Sequence, residues 1–209
     1  MILLAAIYMK ITLQSNNDYT DLKNKLSTLL KQYSYKKHKT KNHRRAAVMI
    51  LLMNKNDEPH ILLTKRTHKV STHKGQISLP GGTYDKEDKE IITTAFRETW
   101  EEIGIPRNDI ELLGRFDDFI SIFGFHIACF IGSISYPYNY NFNQDEIDDY
   151  VEAPINIFIN KEYDYTTQYF EGDQKKYIYH YYYEGKEIWG LTARILTDFG
   201  TYLYSNLSR

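Results

Sequence analysis

The sequence predicts one mixed α/β (α+β) domain carrying an N-terminal extension, and three observations predict it. Two apolar runs, AAVMILLM at 46–53 and HILLTK at 60–65, are separated by a short polar turn and read as a strand pair. A glycine pair at 81–82 leads through a polar loop into a segment whose apolar residues recur at helical spacing. No internal repeat or low-complexity linker divides the 209 residues, and 42% hydrophobic with 25% charged residues suffices for one sizeable core.

The opening MILLAAIYMKITL is apolar but too short to span a membrane. It lacks both a basic region in front and a small-residue cleavage site, so a strand or packed segment is expected there. From Tyr19 to Tyr33, Leu22, Leu26, Leu29 and Leu30 mark a helix, with Asn17 or Asp18 available as its cap. Residues 1–45 thus form an extension with one helix, and 46–209 the main domain. The basic run KKHKTKNHRR at 36–45 reads as a solvated linker rather than a phosphate contact. A turn at Asn54 to Glu58 joins the first two strands. Further strands are expected at Glu111 to Phe116, at Phe125 to Ser135 and in YIYHYYY before Glu184 and Gly185, and a closing helix at Leu191 to Leu207. The 19 tyrosines read as half-buried strand and surface aromatics, because no basic residues interleave them as in a base-stacking platform.

A net charge of -1 gives no global attraction to nucleic acid or to acidic membranes, so any handling of polyanions is local. The single cysteine, Cys129, lies in the apolar run IACFIGSI. It excludes an internal disulfide, reads as a buried strand residue and suits a reducing cytoplasm.

The chemistry concentrates in GGTYDKEDKEIITTAFRETWEEIGI at 81–105. Ile92, Ala95, Phe96, Thr99 and Ile103 form the inward stripe of a helix that Gly104 ends and Pro106 forbids from continuing. Glu98, Glu101 and Glu102 then fall at i, i+3 and i+4 on another face, directing three carboxylates at one volume of solvent. Their repulsion is resolved by a hard divalent cation such as Mg2+, which prefers oxygen ligands and shares substrate phosphates. Arg97 stands four residues before Glu101, where it pairs with a carboxylate and holds its rotamer. The competing reading, a solvated acidic face, leaves the flanking glycines unexplained.

Gly82, Arg97, Glu98, Glu101, Glu102, Gly104 and Ile105 resemble the Nudix box, the signature of hydrolases that cleave a nucleoside diphosphate linked to another group. The resemblance implies the Nudix fold, a mixed β-sheet sandwiched between helices. Two departures stand out. Fourteen residues separate Gly82 from Arg97, one more than the pattern, and Lys89 occupies the place of an early, mainly structural Glu, for which Asp88 or Glu90 can stand in. Upstream, LLTKRTHKVSTHKGQISLPGG at 62–82 resembles the extra motif of the coenzyme A pyrophosphatase branch, with Leu79 in place of the usual Phe. IWGLTARIL at 188–196 is similar to the closing segment of that branch, which commonly has the longer box loop too.

From this resemblance follow the expected cofactor, Mg2+ or Mn2+, and its ligands Glu98, Glu101 and Glu102 with the carbonyl of Gly81. For the general base it offers Glu98, or a fourth acid from NQDEIDDYVEAPI, namely Glu146 with Glu152 as a substitute. Asp145, Asp148 and Asp149 read as a solvated acidic loop or helix cap. Arg66 presents a planar donor fork, and His73 with Lys74 adds positive charge beside Gly75 and the Pro80-Gly81-Gly82 turn, a patch suited to phosphates. Trp189 and Arg194 read as packing and helix-terminus residues. The expected reaction is hydrolysis of coenzyme A or its derivatives to 3',5'-ADP and 4'-phosphopantetheine. Other expectations are a Nudix hydrolase acting on ADP-ribose or NADH, and a non-catalytic ligand-binding module, which has no use for a full glutamate set. The expected partner is a small nucleotide of the coenzyme A class in the cytoplasm, with no nucleic acid and no membrane, and with a homodimer allowed.

Overall fold

A computed structural model of the protein describes residues 16–40, 42–69, 74–171 and 173–207. In chain order come α1 (Asn16–Gln32), β1 (Arg44–Lys55), β2 (Glu58–Arg66), β3 (Ile77–Ser78), β4 (Gly81–Thr83), α2 (Ile91–Ile103), β5 (Glu111–Arg115), β6 (Phe119–Ile120) and β7 (Phe125–Ser133). There follow β8 (Ile147–Pro154), α3 (Asn156–Ile159), β9 (Tyr165–Glu171), β10 (Gln174–Tyr183), β11 (Lys186–Ile188) and α4 (Gly190–Leu207).

β1 is the centre of a mixed sheet. β2 pairs with it antiparallel from Leu51↔Leu62 to Lys55↔Glu58, and β7 pairs parallel on its other edge. The hairpin turns at Asn56 and Asp57, whose φ values of 53° and 62° suit short polar side chains. β5 and β6 lie antiparallel on β7, and β8 lies antiparallel on the outer edge of β2. A separate antiparallel sheet, β9-β10-β11, absorbs the tyrosine-rich stretch, with Tyr181 fully buried and Tyr177 and Tyr182 exposed.

The period of two along β1 divides the core into two layers. Ala47, Met49, Leu51 and Met53 pack with Ala95, Phe96 and Ile103 of α2, while Ile50 and Leu52 pack with Leu26 of α1 and Phe199 and Leu203 of α4. Helices therefore cover both faces of the sheet, which is why AAVMILLM reads as a continuous apolar run rather than an alternating one. Cys129 sits within this core on β7, where burial pushes its thiol up.

Leu22, Leu26 and Leu30 of α1 are buried, and Tyr19 hydrogen-bonds Ser133 of β7 at 2.8 Å, so this helix is part of the core wall. Asn17 and Asp18 fall within the helical stretch, which is described from Asn16. The basic run is largely exposed, as expected of a solvated linker, and is tied down at its first residue. The Lys36 amide donates to Asp117 Oδ1 at 2.7 Å, the Asp118 amide donates to the Lys36 carbonyl at 2.9 Å, and Arg44 and Arg45 already belong to β1. Trp189 stacks on His180, and Arg194 lies over the Phe119 ring.

Asp148 and Asp149, expected with Asp145 as a solvated acidic loop or cap, belong to β8, while Asp145 is exposed on the turn before it. Ile147, Val151 and Ala153 are buried, whereas Asp148 is exposed and Asp149 pairs with Lys186 at 3.0 Å, so the two acids interrupt the apolar pattern of the strand. Among the described residues no helix is long and apolar enough to cross a membrane.

One detail of the sheet positions everything that follows. β1 and β2 part beyond the Leu51↔Leu62 pair, and residues 77–83 fill the fork between them. β3 pairs with Thr64 and Lys65 of β2, β4 pairs with Ala46 to Val48 of β1, and the Met49 amide donates to the Pro80 carbonyl at 2.9 Å. Gly81 and Gly82 are thereby set on the α2 side of the sheet.

Candidate active site

Helix α2 crosses that face with Thr94, Ala95, Phe96, Thr99 and Ile103 buried, while Ile92 is only half-buried. It ends at Gly104, whose left-handed φ of 73° lets its amide bond the Trp100 carbonyl. The same turn buries Glu102, which is 1% exposed. The three glutamates are unequally open to solvent: Glu101 is exposed, Glu98 is largely covered and Glu102 is enclosed. The reason is the Gly81-Gly82 backbone lying against that side of the helix. The Gly81 amide donates to Glu102 Oε2 at 3.1 Å, and a Cβ on Gly82 would run into the Glu98 carboxyl group. Burial pushes Glu102 up to about 8; the Gly81 amide and Arg66 oppose this, while the negative charges of Glu98 and Glu146 add to it. Burial also raises Glu98, against the pull of Arg97.

Arg97 organises the opposite side. Its Nη1 donates to Glu98 at 2.9 Å and to Glu101 at 2.8 Å, while Nε and Nη2 fork onto Asp88 at 2.9 and 3.1 Å. Nη2 also reaches the Thr83 carbonyl at 3.0 Å. Asp88, 4% exposed, accepts further bonds from Thr94 Oγ1 at 2.8 Å and the Asp85 amide at 3.0 Å, and the Arg97 guanidinium holds it down at about 2. Of the two stand-ins for the early glutamate, Asp88 makes the contact with Arg97, and Glu90 makes no capping bond at the start of α2. In the loop that is one residue longer than the pattern, Lys89 has φ 59° and ψ -54°, which lets the Glu90 amide reach the Asp88 carbonyl at 2.5 Å in a tight γ-turn. A signal for Asp88 existed in the Asp85-x-x-Asp88 capping spacing.

Glu146 sits on a turn fastened to both neighbours. The Asn143 amide donates to the Glu102 carbonyl at 3.0 Å, the Glu146 amide to the Asn143 carbonyl at 2.9 Å, and the Thr67 amide to the Glu146 carbonyl at 2.8 Å. Its charge acts on both Glu98 and Glu102. Glu152 does not fit as its substitute, since it is 7% exposed and committed to Lys55 at 2.7 Å and Tyr140 at 2.9 Å. Arg66 turns its fork to Glu102, with Nη1 at 3.4 Å from Oε1, and Lys74 is exposed beside Gly75. His73 lies outside the described residues.

The donor set is all oxygen, which fits a hard dication. Among the described residues no three acids or histidines are already closed on one point, because Arg97, Arg66 and the Gly81 amide occupy several carboxylate oxygens. Glu98 Oε2 and Glu101 Oε1 have no hydrogen-bond partner among the described residues and are the open donors.

The family pattern described as NUDIX domain matches residues 43–153, more than half of the chain. The chain belongs to the Nudix family. Two relatives, both named uncharacterized Nudix hydrolase NudL, are similar to it along most of its length. The one from Pectobacterium atrosepticum is 33% identical over 153 residues, covering 73% of this chain and 79% of its own. The one from Photorhabdus laumondii is 34% identical over 156 residues, covering 74% and 82%. Among solved structures, a Nudix hydrolase from Alicyclobacillus acidocaldarius aligns with a TM-score of 0.49 at 16% identity, over 59% of this chain and 84% of its own. As a Nudix hydrolase the protein acts on a nucleoside diphosphate derivative, and hydrolases of this family generally use divalent ions such as Mg2+ or Mn2+.

Proposed function

We propose that this Nudix hydrolase cleaves the diphosphate bond of coenzyme A or its derivatives, giving 3',5'-ADP and 4'-phosphopantetheine in a cytoplasmic setting. The observation that carries the proposal is the pair of contacts that Arg66 and Gly81 make with Glu102. The stretch whose sequence resembles the coenzyme A branch supplies both Arg66 and Gly81 to the carboxylate of Glu102, so it frames the acidic helix directly.

Glu98, Glu101 and Glu102, with the Gly81 carbonyl, would hold Mg2+ or Mn2+, which supplies charge neutralisation for the diphosphate and a more acidic bound water. The protein's own groups do the positioning. Arg97 fixes the rotamers of Glu98 and Glu101, and Asp88 in turn fixes Arg97. Glu146, held on a turn between β2 and α2, accepts the proton of the attacking water, with Glu98 as the second candidate for that role. Arg66 is half-buried, and its Nε has no partner among the described residues, so a phosphate oxygen would satisfy it. Lys74, exposed beside Gly75, adds a further positive charge on the same segment.

The test is a substrate panel of coenzyme A, ADP-ribose, NADH and diadenosine polyphosphates at equal concentration with Mg2+. Coenzyme A is expected to be turned over best. A wide preference for ADP-ribose would overturn the branch and leave the class of reaction standing.

A further inference from the structure

We infer that the depression at the C-terminal end of α2 is the subsite for the substrate's nucleobase, with the indole of Trp100 as its stacking face. The inference rests on placing the diphosphate at Glu98, Glu101 and Glu102. The depression, about 380 Å³, is lined by Trp100, Glu101, Gly104, Asn141, Phe142 and Asn143. Glu101 belongs both to this wall and to the acidic cluster, so the depression lies within reach of a group joined to a diphosphate held on the cluster.

The walls have the chemistry of a base site. Trp100 is 59% exposed on a helix that buries its neighbour Thr99 completely, so its indole is open to a planar ligand. Phe142 is held by stacking on Tyr150 at 5.1 Å between ring centres and by Tyr140 at 5.5 Å, so the facing aromatic is braced. The amides of Asn141 and Asn143 donate to the carbonyls of Ile103 and Glu102, pinning both residues to the end of α2. Side-chain amides offer the paired donor and acceptor that match a purine edge, and Asn143 spends only its Oδ1, on the Asp145 amide at 3.2 Å. Gly104 keeps the floor low, since a Cβ there would meet the Asn141 Cβ at 2.6 Å. The turn that presents Asn143 also carries Glu146, so the base subsite and the proposed general base share one short segment.

The chain has two tryptophans, so Trp189→Phe leaves Trp100 as the only indole, and Trp189 lies on β11's side of the molecule outside this site. Titrating that protein with AMP, ribose 5-phosphate and pantetheine in the presence of Mg2+ reads the subsite directly by fluorescence. AMP is expected to quench the emission saturably and the two base-free compounds to leave it unchanged. In turnover assays Trp100→Ala should raise KM for the nucleotide substrate about tenfold with kcat nearly constant, and Trp100→Phe should restore KM, because stacking tolerates any flat ring. Quenching by pantetheine instead of AMP, no quenching by AMP, or an unchanged KM in Trp100→Ala would each overturn the assignment. If the wild-type protein cleaves none of the diphosphates, the proposed function fails, and the AMP titration still decides the subsite.

Discussion

Two carboxylates at opposite ends of α2 are both nearly closed to solvent, Glu102 the more deeply enclosed, and their surroundings push them in opposite directions. Asp88, ahead of the first turn, is 4% exposed and is held at about 2 by the fork of Arg97, helped by Thr94 and the Asp85 amide. Glu102, in the last turn, is 1% exposed and is pushed to about 8, with one amide and a distant Arg66 set against burial and two neighbouring glutamates. The helix dipole adds to the contrast, since it favours an anion near the N-terminus and disfavours one near the C-terminus. The difference separates structure from chemistry. Asp88 is fully compensated by protein donors and has nothing left for a cation, whereas Glu102 is under-compensated and gains from one.

Removing Glu102 should therefore cost function and not stability. Glu102→Gln, and likewise Glu101→Gln, should fold normally and lose on the order of 10³-fold or more in kcat/KM. The rise in Tm that Mg2+ gives the wild-type protein should vanish in Glu102→Gln, and an undiminished Mg2+ shift would break the comparison by removing Glu102 from the metal site. Gly82→Ala should come next. Its Cβ would occupy the place of the Glu98 carboxyl group, which can swing away, so kcat/KM should fall roughly 10²-fold with little change in Tm. Equal losses of activity and stability would show that Gly82 serves the loop rather than the glutamate.

These contrasts mark what the chain reveals before it is folded. The strand pair at 46–65, the helix with its Gly104 stop and the acid triplet all rest on local period and spacing, so they are legible in the letters. The burial of Glu102 is not, because it depends on residues 77–83 filling the fork between β1 and β2, a pairing of segments far apart in sequence. Arg66 meets Glu102 for the same reason, across 36 positions. The choice of Asp88 over Glu90 turns on one left-handed residue, Lys89, whose side chain gives no hint of that conformation. In β8 the exposed Asp148 and the ion-paired Asp149 break up the buried Ile147, Val151 and Ala153, so these two acids read as part of a loop.

The smallest effects test the Asp88 half of the comparison. Asp88→Asn keeps the shape but gives up the charge that Arg97 requires, so it should lower stability by about 1–3 kcal/mol. It should reduce activity about tenfold, through looser Glu98 and Glu101 rather than through lost metal ligands. Its clearest signature is in acid. A carboxyl group whose folded value lies below its ordinary 3.8 contributes stability that is present above that ordinary value and is lost as pH falls through about 2. The wild-type protein should accordingly lose stability between about pH 4 and pH 2. Asp88→Asn should show a flatter acid limb over that window while starting from a lower Tm at neutral pH. A parallel acid limb in the two proteins would mean that Asp88 is not the group Arg97 holds ionised, and the pair would then have to be read as two carboxylates serving the cation together.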